Sequence, residues 1–417
     1  MTEVLSSSQQ RTTSPDHAGS TRTRRHVPRR AGFWVVAFTT AVLLAASSAP
    51  SPLYAVYQQR FGFSATTLTV VFAVYVVALL GTLLVAGRLS DHLGRRPVLA
   101  GALLVEAASM LVFVGASGTA WLMVARAVQG VATGAAVAVL GAYLLDLQPA
   151  DGSRLGSLVN SLAPSLGLAL GAVGAGVLVQ YGPDPSHLVF WLLGAAFLAL
   201  TLVVAVLPES VRRTPGALAS LRPQVTVPRA ARGPFARVAP VMIATWALGG
   251  LVLSLGGSVL AAVFGLTNHG EVGLLLAVLP AAGGLAAFLL RDVGPAPMTR
   301  IGTVALIAGA GVFLVALVTA SLWVFVVAAV VAGAGFGVGF LGSLRRVTQL
   351  AEPGERAGLL AAVYVLSYLG FSIPAVVAGV LVPHLGLLHT AYGYAAFVGL
   401  VAAATLVTEF LPRRASA

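Results

Sequence analysis

The sequence predicts an all-α membrane protein, with about twelve transmembrane helices arranged as two six-helix halves. Three observations carry this. Hydrophobic residues make up 58% of the 417 and charged ones only 9%, where a soluble domain carries about 25% charged residues. A surface so poor in charge must face lipid over most of its area. The apolar residues come in continuous runs of about twenty, the length that crosses a bilayer as a helix, and not in the alternating segments of about ten that build a membrane barrel. The arginines, finally, fall at every second gap between runs.

Taken in order, residues 1–31 are rich in Ser, Thr and Arg with almost no apolar content, the composition of a disordered basic tail. Arg24-Arg25 and Arg29-Arg30 ahead of an apolar run are similar to a twin-arginine signal, but the run is too long for a signal segment and eleven more follow. Spans are predicted at 33–53, 65–87, 97–116, 120–144, 156–179 and 187–207, then at 237–262, 271–290, 300–320, 322–343, 357–382 and 388–411. The N-terminal bundle therefore occupies 32–207 and the C-terminal bundle 237–412. The segment 208–236, polar and without apolar periodicity, is a cytoplasmic linker, and 413–417 is a short cytoplasmic tail.

With the N-terminus in the cytoplasm, the arginines of the tail, Arg154 and those at 88, 95, 96, 212, 213, 222, 229, 232, 237, 291, 300, 345, 346, 356, 413 and 414 all lie inside. Arg60 alone lies outside, and Arg126 lies within a span. This is the positive-inside pattern. A span missed or invented would throw every later arginine to the wrong side, so the alternation supports the count as well as the orientation. The chain is expected in the cell (inner) membrane with both termini cytoplasmic.

The net charge of +12 is not a nucleic-acid footprint, because the basic residues are dispersed between apolar runs with no basic-aromatic groove. The absence of cysteine excludes disulfides and thiolate metal sites. The seven histidines are scattered, with no metal-ligand spacing on one helix. No phosphate-binding glycine loop with a lysine occurs, which excludes ATP hydrolysis by this chain. Neither a catalytic constellation nor a cofactor is expected.

Between the second and third spans stands Gly87-Arg-Leu89-Ser90-Asp91-His-Leu-Gly94-Arg95-Arg96-Pro-Val-Leu99. Gly87 is read as allowing close helix approach and Gly94 as taking a sharp turn at positive φ. Asp91 would accept hydrogen bonds from a nearby Arg or cap a helix N-terminus, and Arg95 and Arg96 would hold the loop at the cytoplasmic side. At every position of the pattern this loop resembles the loop motif of the major facilitator superfamily. Leu122-Met-Val-Ala-Arg126-Ala-Val-Gln129-Gly130, with Gly134 beyond it, is similar to that family's fourth-helix motif. Leu207-Pro208-Glu209-Ser210 resembles a common boundary after the sixth helix. Ala163-Pro164-Ser-Leu-Gly167 matches the fifth-helix motif of the family's proton antiporters only in its Pro and the Gly after it, the alternative being a generic small-residue packing face. Arg291-Asp292-Val-Gly294 is a faint echo of the first-half loop at the equivalent place in the second half. The resemblance implies a secondary transporter, not an enzyme, working by alternating access, with Gly87, Asp91, Gly94, Arg95 and Arg96 as a cytoplasmic gate loop.

Glu106 is an acid near the middle of the third span, and Arg126 a cation in the fourth. Such groups are costly in a bilayer and face the bundle interior. They are candidates, with Gln129, for ion coupling. Either Glu106 pairs with Arg126 or takes turns with a proton, or the two form a fixed buried pair that only locks helices. Asp146 is read as an interface residue. The family architecture implies a central path between the halves, for which Tyr54, Asn160, Trp246, Ser254, Tyr364 and Tyr368 are candidate lining residues, each as readily packing as binding. Tyr364 and Tyr368 share a helix face. A sparsely polar, aromatic lining suits an apolar or weakly polar small molecule better than a sugar or phosphate ester. Proton-driven efflux of a hydrophobic or drug-like compound is the first expectation; proton-coupled uptake of a small metabolite and a non-transporting membrane sensor or assembly partner are the alternatives. The expected partners are the lipid bilayer and the substrate alone, with a monomeric chain and a proton gradient as the energy source.

Overall fold

The computed structural model describes residues 28–149, 155–352 and 354–410. The tail through residue 27, Arg154, and the tail 413–417 with Arg413 and Arg414 lie outside the described residues. All regular structure among the described residues is helical. In chain order the helices are α1 (Arg29–Ser48), α2 (Pro50–Phe61), α3 (Ala65–Ala86), α4 (Leu89–Leu93), α5 (Arg95–Val114), α6 (Thr119–Leu147), α7 (Leu155–Tyr181), α8 (Leu188–Val204), α9 (Ala217–Ser220), α10 (Arg229–Ser254), α11 (Gly256–Phe264), α12 (His269–Leu289), α13 (Pro295–Thr319), α14 (Leu322–Thr348), α15 (Arg356–Leu385) and α16 (Leu387–Phe410).

Eleven of the resulting rods are long and apolar enough to cross a membrane, and Leu188–Val204 is a shorter apolar helix of 17 residues. The first rod runs on as Arg29–Phe61, 33 residues, well past the predicted end at 53. Pro50 and Pro52 look like a stop in sequence, yet proline is tolerated in the first turn of a helix, and α2 restarts on Pro50. It ends where Gly62 turns left-handed at φ 66°. The seventh span likewise starts earlier than the predicted 237, at Arg229, because Pro228 holds an extended backbone and launches the helix there. Hydropathy marks only the apolar part of such a rod and misses its polar first turns. The linker also carries the short helix α9.

The rods form two bundles, α1–α8 and α10–α16, which meet through α3 against α15 and α7 against α12. Small residues allow the close packing inside each bundle. A Cβ on Gly130 or Gly134 of α6 would strike the α3 carbonyls of Tyr75 and Leu79. Gly167 and Gly171 of α7 are pressed in the same way against α1 at Ala41 and Ala45.

The two bundles are joined at one end and parted at the other. At the end away from the arginines, the Ser51 hydroxyl donates to the Leu253 carbonyl at 2.8 Å and the Thr66 hydroxyl to the Gly379 carbonyl at 2.8 Å. There the His269 amide also donates to the Gln180 side chain at 2.9 Å, and Gly176 packs on Gly273. At the arginine-rich end a cavity of about 640 Å³ opens between the start of α7 and the ends of α12 and α14. Leu158, Ser161 and Leu162 line one wall; Phe288, Arg291, Asp292, Leu341 and Arg345 line the other.

Candidate functional site

Three groups of side chains are built on this frame. The first is a polar cluster inside the N-terminal bundle. Pro50 has no N–H to give to the Ala46 carbonyl one turn earlier, and the Gln129 amide of α6 donates to that carbonyl instead, at 3.0 Å. The same Gln129 nitrogen donates to Glu106 Oε1 at 3.3 Å, and Thr133 donates to Glu106 Oε2 at 3.3 Å. Arg126 Nη1 donates to Gln129 Oε1 at 2.6 Å and to the Ser47 carbonyl at 3.3 Å. Glu106, Arg126, Gln129 and Thr133 are all 0% exposed.

The structure thus brings the three coupling candidates together, but not as the direct ion pair considered above. No Arg126–Glu106 bridge is among the ion pairs of the described residues. The Gln129 amide stands between acid and base, with one end on each. The guanidinium instead lies over two aromatic faces, 4.5 Å from the Tyr75 ring centroid and 5.8 Å from that of Tyr54, an arrangement in which the ring quadrupole offsets part of the lost hydration. Arg126 Nε and Nη2 keep no hydrogen-bond partner. The Tyr54 hydroxyl faces the Arg126 guanidinium closely enough to interact with it, though not in full hydrogen-bond geometry. Tyr75 donates its own hydroxyl to Ser47 at 2.9 Å. Ser47, Tyr75 and Thr133 were not legible as members of this cluster. Hydroxyls in apolar helices usually bond back to their own helix, as Ser47 itself does to Leu43.

The second group is an aromatic cage where the bundles face each other. Trp246 of α10 sits within 5.1 to 6.4 Å, centroid to centroid, of Tyr368, Phe371, Phe340 and Phe336. Tyr364 stacks on Tyr368, and Phe72 of α3 meets Phe371 at 4.9 Å. Tyr75 belongs to the same buried cluster, so its ring joins the cage to Arg126. Trp246, Tyr364 and Tyr368 are placed together as the sequence suggested. Tyr54 belongs with Arg126 instead. Two candidates stand apart from these rings: Ser254 donates to the Gly250 carbonyl of its own helix at 2.6 Å, and Asn160 is exposed beside Gly141 of α6.

The third group is the 87–96 loop. Gly94 takes φ +98°, and a Cβ there would meet the Glu209 carboxylate at 2.5 Å. That carboxylate accepts from the Arg95 amide at 2.8 Å and the Arg96 amide at 3.1 Å, capping the N-terminus of α5. Arg95 binds Asp91 and reaches Asp146 at 3.2 Å, and Ser210 donates to the same Asp146 oxygen at 2.7 Å. The loop is held to the linker as well: the Thr214 amide donates to the His92 carbonyl at 3.0 Å, and Arg88 to Gln224 at 3.0 Å. Glu209 and Asp146, read as a boundary and an interface residue, are both partners of the loop. Gly87 does not mediate a helix contact. A Cβ there would meet only Leu83 of its own chain turn, so the expected close approach lies in α6, at Gly130 and Gly134. In the second half, Arg345 of α14 donates to the Arg291 carbonyl at 2.7 Å, tying the 291–294 loop to the end of its neighbour as Arg95 ties the first loop to Asp146.

Among the described residues, eleven apolar rods long enough to cross a membrane and a shorter twelfth, closed together at one end and open at the other, define a polytopic membrane protein. The family model of the Major Facilitator Superfamily matches residues 36–319, and the chain belongs to that family. A multidrug resistance protein MdtL of Shewanella oneidensis is 32% identical over 154 residues, 36% of this chain and 38% of that protein. A D-xylose transporter of Levilactobacillus brevis is 35% identical over 157 residues, 34% of this chain and 31% of that one. The chain thus matches only about a third of the length of these curated relatives. Its fold is similar, at TM-score 0.71 and 15% identity, to a bacterial homologue of the human lysosomal transporter Spinster in an inward-facing, occupied conformation, covering 91% of this chain and 97% of that one.

Proposed function

We propose that this transporter exports a hydrophobic or drug-like small molecule from the cell in exchange for protons, by alternating access between the two bundles. The observation that carries the coupling is the buried Glu106, whose two oxygens are held only by the neutral donors Gln129 and Thr133. An acid placed so inside a bundle can take up and release a proton without breaking an ion pair. Its proton state reaches Arg126 and the kinked first helix through one side chain, Gln129. The apolar, aromatic cage supports an apolar substrate, and the MdtL similarity supports efflux.

On this reading the arginine-rich end faces the cytoplasm, the termini are cytoplasmic in the cell membrane, and the open cavity is an inward-facing state. The 87–96 loop gates that cavity, the chain works as a monomer in the bilayer, and it needs no cofactor beyond the proton gradient. Uptake of a small metabolite is the second reading, favoured by the D-xylose transporter similarity. The test is everted vesicles with an imposed proton gradient. A hydrophobic compound is expected to discharge the gradient through the protein and a pentose is not; discharge by the pentose alone would favour uptake and defeat the first reading.

A further inference from the structure

We infer that the open cavity at the arginine-rich end is a binding site for an anionic phospholipid, whose phosphate rests on Arg291 and Arg345 and whose acyl chains follow the apolar residues of α7 and α12. The inference goes beyond the transport reading and needs only that the chain lies in a membrane. The cavity of about 640 Å³ is lined by both polar and apolar side chains. Its charged lining is unequal: Arg291 and Arg345 are two cations, and Asp292 is one anion. Arg291 Nε lies 3.5 Å from Asp292, but that pair is exposed to solvent and weak. Arg345 has no carboxylate partner among the described residues. Its Nη1 donates to two neutral acceptors instead, the Arg291 carbonyl at 2.7 Å and Met298 Sδ at 3.6 Å. These contacts fix the guanidinium in place and leave its charge uncancelled. The Arg291 guanidinium is likewise placed, 4.3 Å from the centroid of the Phe288 ring, and Phe288 lines the same cavity.

A guanidinium presents a planar fork of donors that matches phosphate oxygens. Basic pockets between transmembrane helices are suited to the heads of anionic lipids. The apolar lining decides between a lipid and a free phosphate. Leu158 and Leu162 of α7 and Phe288 of α12 line the cavity. On α7, Leu166 and Leu170 follow at four-residue steps, the spacing of one helix face; on α12, Leu285 and Leu289 flank Phe288. All four leucines are exposed. A soluble phosphate would use the arginines and leave these apolar side chains in water. A phospholipid covers them as well, and gains from doing so.

The test is native mass spectrometry of the purified full-length protein in detergent, titrated with dioleoylphosphatidylglycerol or dioleoylphosphatidylcholine. The anionic lipid is expected to bind at least about fivefold more tightly, the contribution of one basic side chain near an anionic lipid. Arg291→Gln should weaken its binding about fivefold for the same reason. Leu158→Glu, which keeps both arginines and puts an acid on the opposite wall, should weaken it as much. Arg213→Gln removes the same charge from the linker, outside the cavity, and should leave binding unchanged. Glycerol 3-phosphate in large excess should not displace the lipid. Equal binding of the two lipids, anionic-lipid binding unchanged in Arg291→Gln or in Leu158→Glu, an equal loss in Arg213→Gln, or displacement by glycerol 3-phosphate would overturn the inference. Lipid binding as expected in a protein that discharges no proton gradient would defeat the exchange mechanism and leave this inference standing.

Discussion

Pro50 removes a backbone donor from the first span, and the consequence reaches three helices. The Ala46 carbonyl it leaves open is taken by Gln129, and Gln129 thereby comes to touch both Glu106 and Arg126. One amide satisfies a kink, an acid and a base. Gln129→Leu fills similar space and satisfies none of them. Each buried polar group so stranded costs about 1–3 kcal/mol. The purified variant should therefore lose at least about 2 kcal/mol of stability, read as a lowered thermal midpoint in detergent; an unchanged midpoint would show that the amide bears none of this load. Glu106, Arg126 and Gln129 were legible because a charge or amide inside a long apolar run is conspicuous at its own position. That Gln129 separates the charged pair was not legible, since it depends on how α1, α5 and α6 are rotated about their axes.

Helix ends carry the next level of organisation. The N-terminus of α5 begins abruptly after Gly94, with no side-chain cap of its own, and the Glu209 carboxylate, 114 residues later, supplies the missing acceptor to Arg95. An anion at a helix N-terminus also meets the positive end of the helix dipole. Glu209→Ala should cost about 0.5–2 kcal/mol, the range of a lost N-cap. It should also free the loop from the linker, measured as faster amide hydrogen exchange at Arg95 and Arg96; unchanged exchange would remove Glu209 from the gate. The turn at Gly94 was readable from its motif, because a glycine at a sharp corner has a local cause. Its long-range cap was not, because Glu209 and Gly94 share no sequence neighbourhood. The early start of α10 and the late end of α2 were missed for another reason: prolines that punctuate a hydropathy pattern can also begin a helix.

The succession of long apolar helices, eleven of them long enough to cross a membrane with the shorter Leu188–Val204, was legible from the apolar runs imposed by the lipid solvent. The open cavity at one end and the closure through Ser51, Thr66 and Gln180 at the other were not. On the proposed alternating-access mechanism they describe one of two states, and the hydrogen bonds that close the far end would break in the other. The account ties that exchange of states to Glu106. Its most direct test compares wild type with Glu106→Gln, which keeps the hydrogen-bonding shape and removes the exchangeable proton, in two assays on reconstituted vesicles. The account predicts that substrate counterflow without a gradient persists while proton-driven accumulation falls at least about tenfold, as expected when a proton-transferring group is lost. Proton-driven accumulation at the wild-type rate in Glu106→Gln would contradict it.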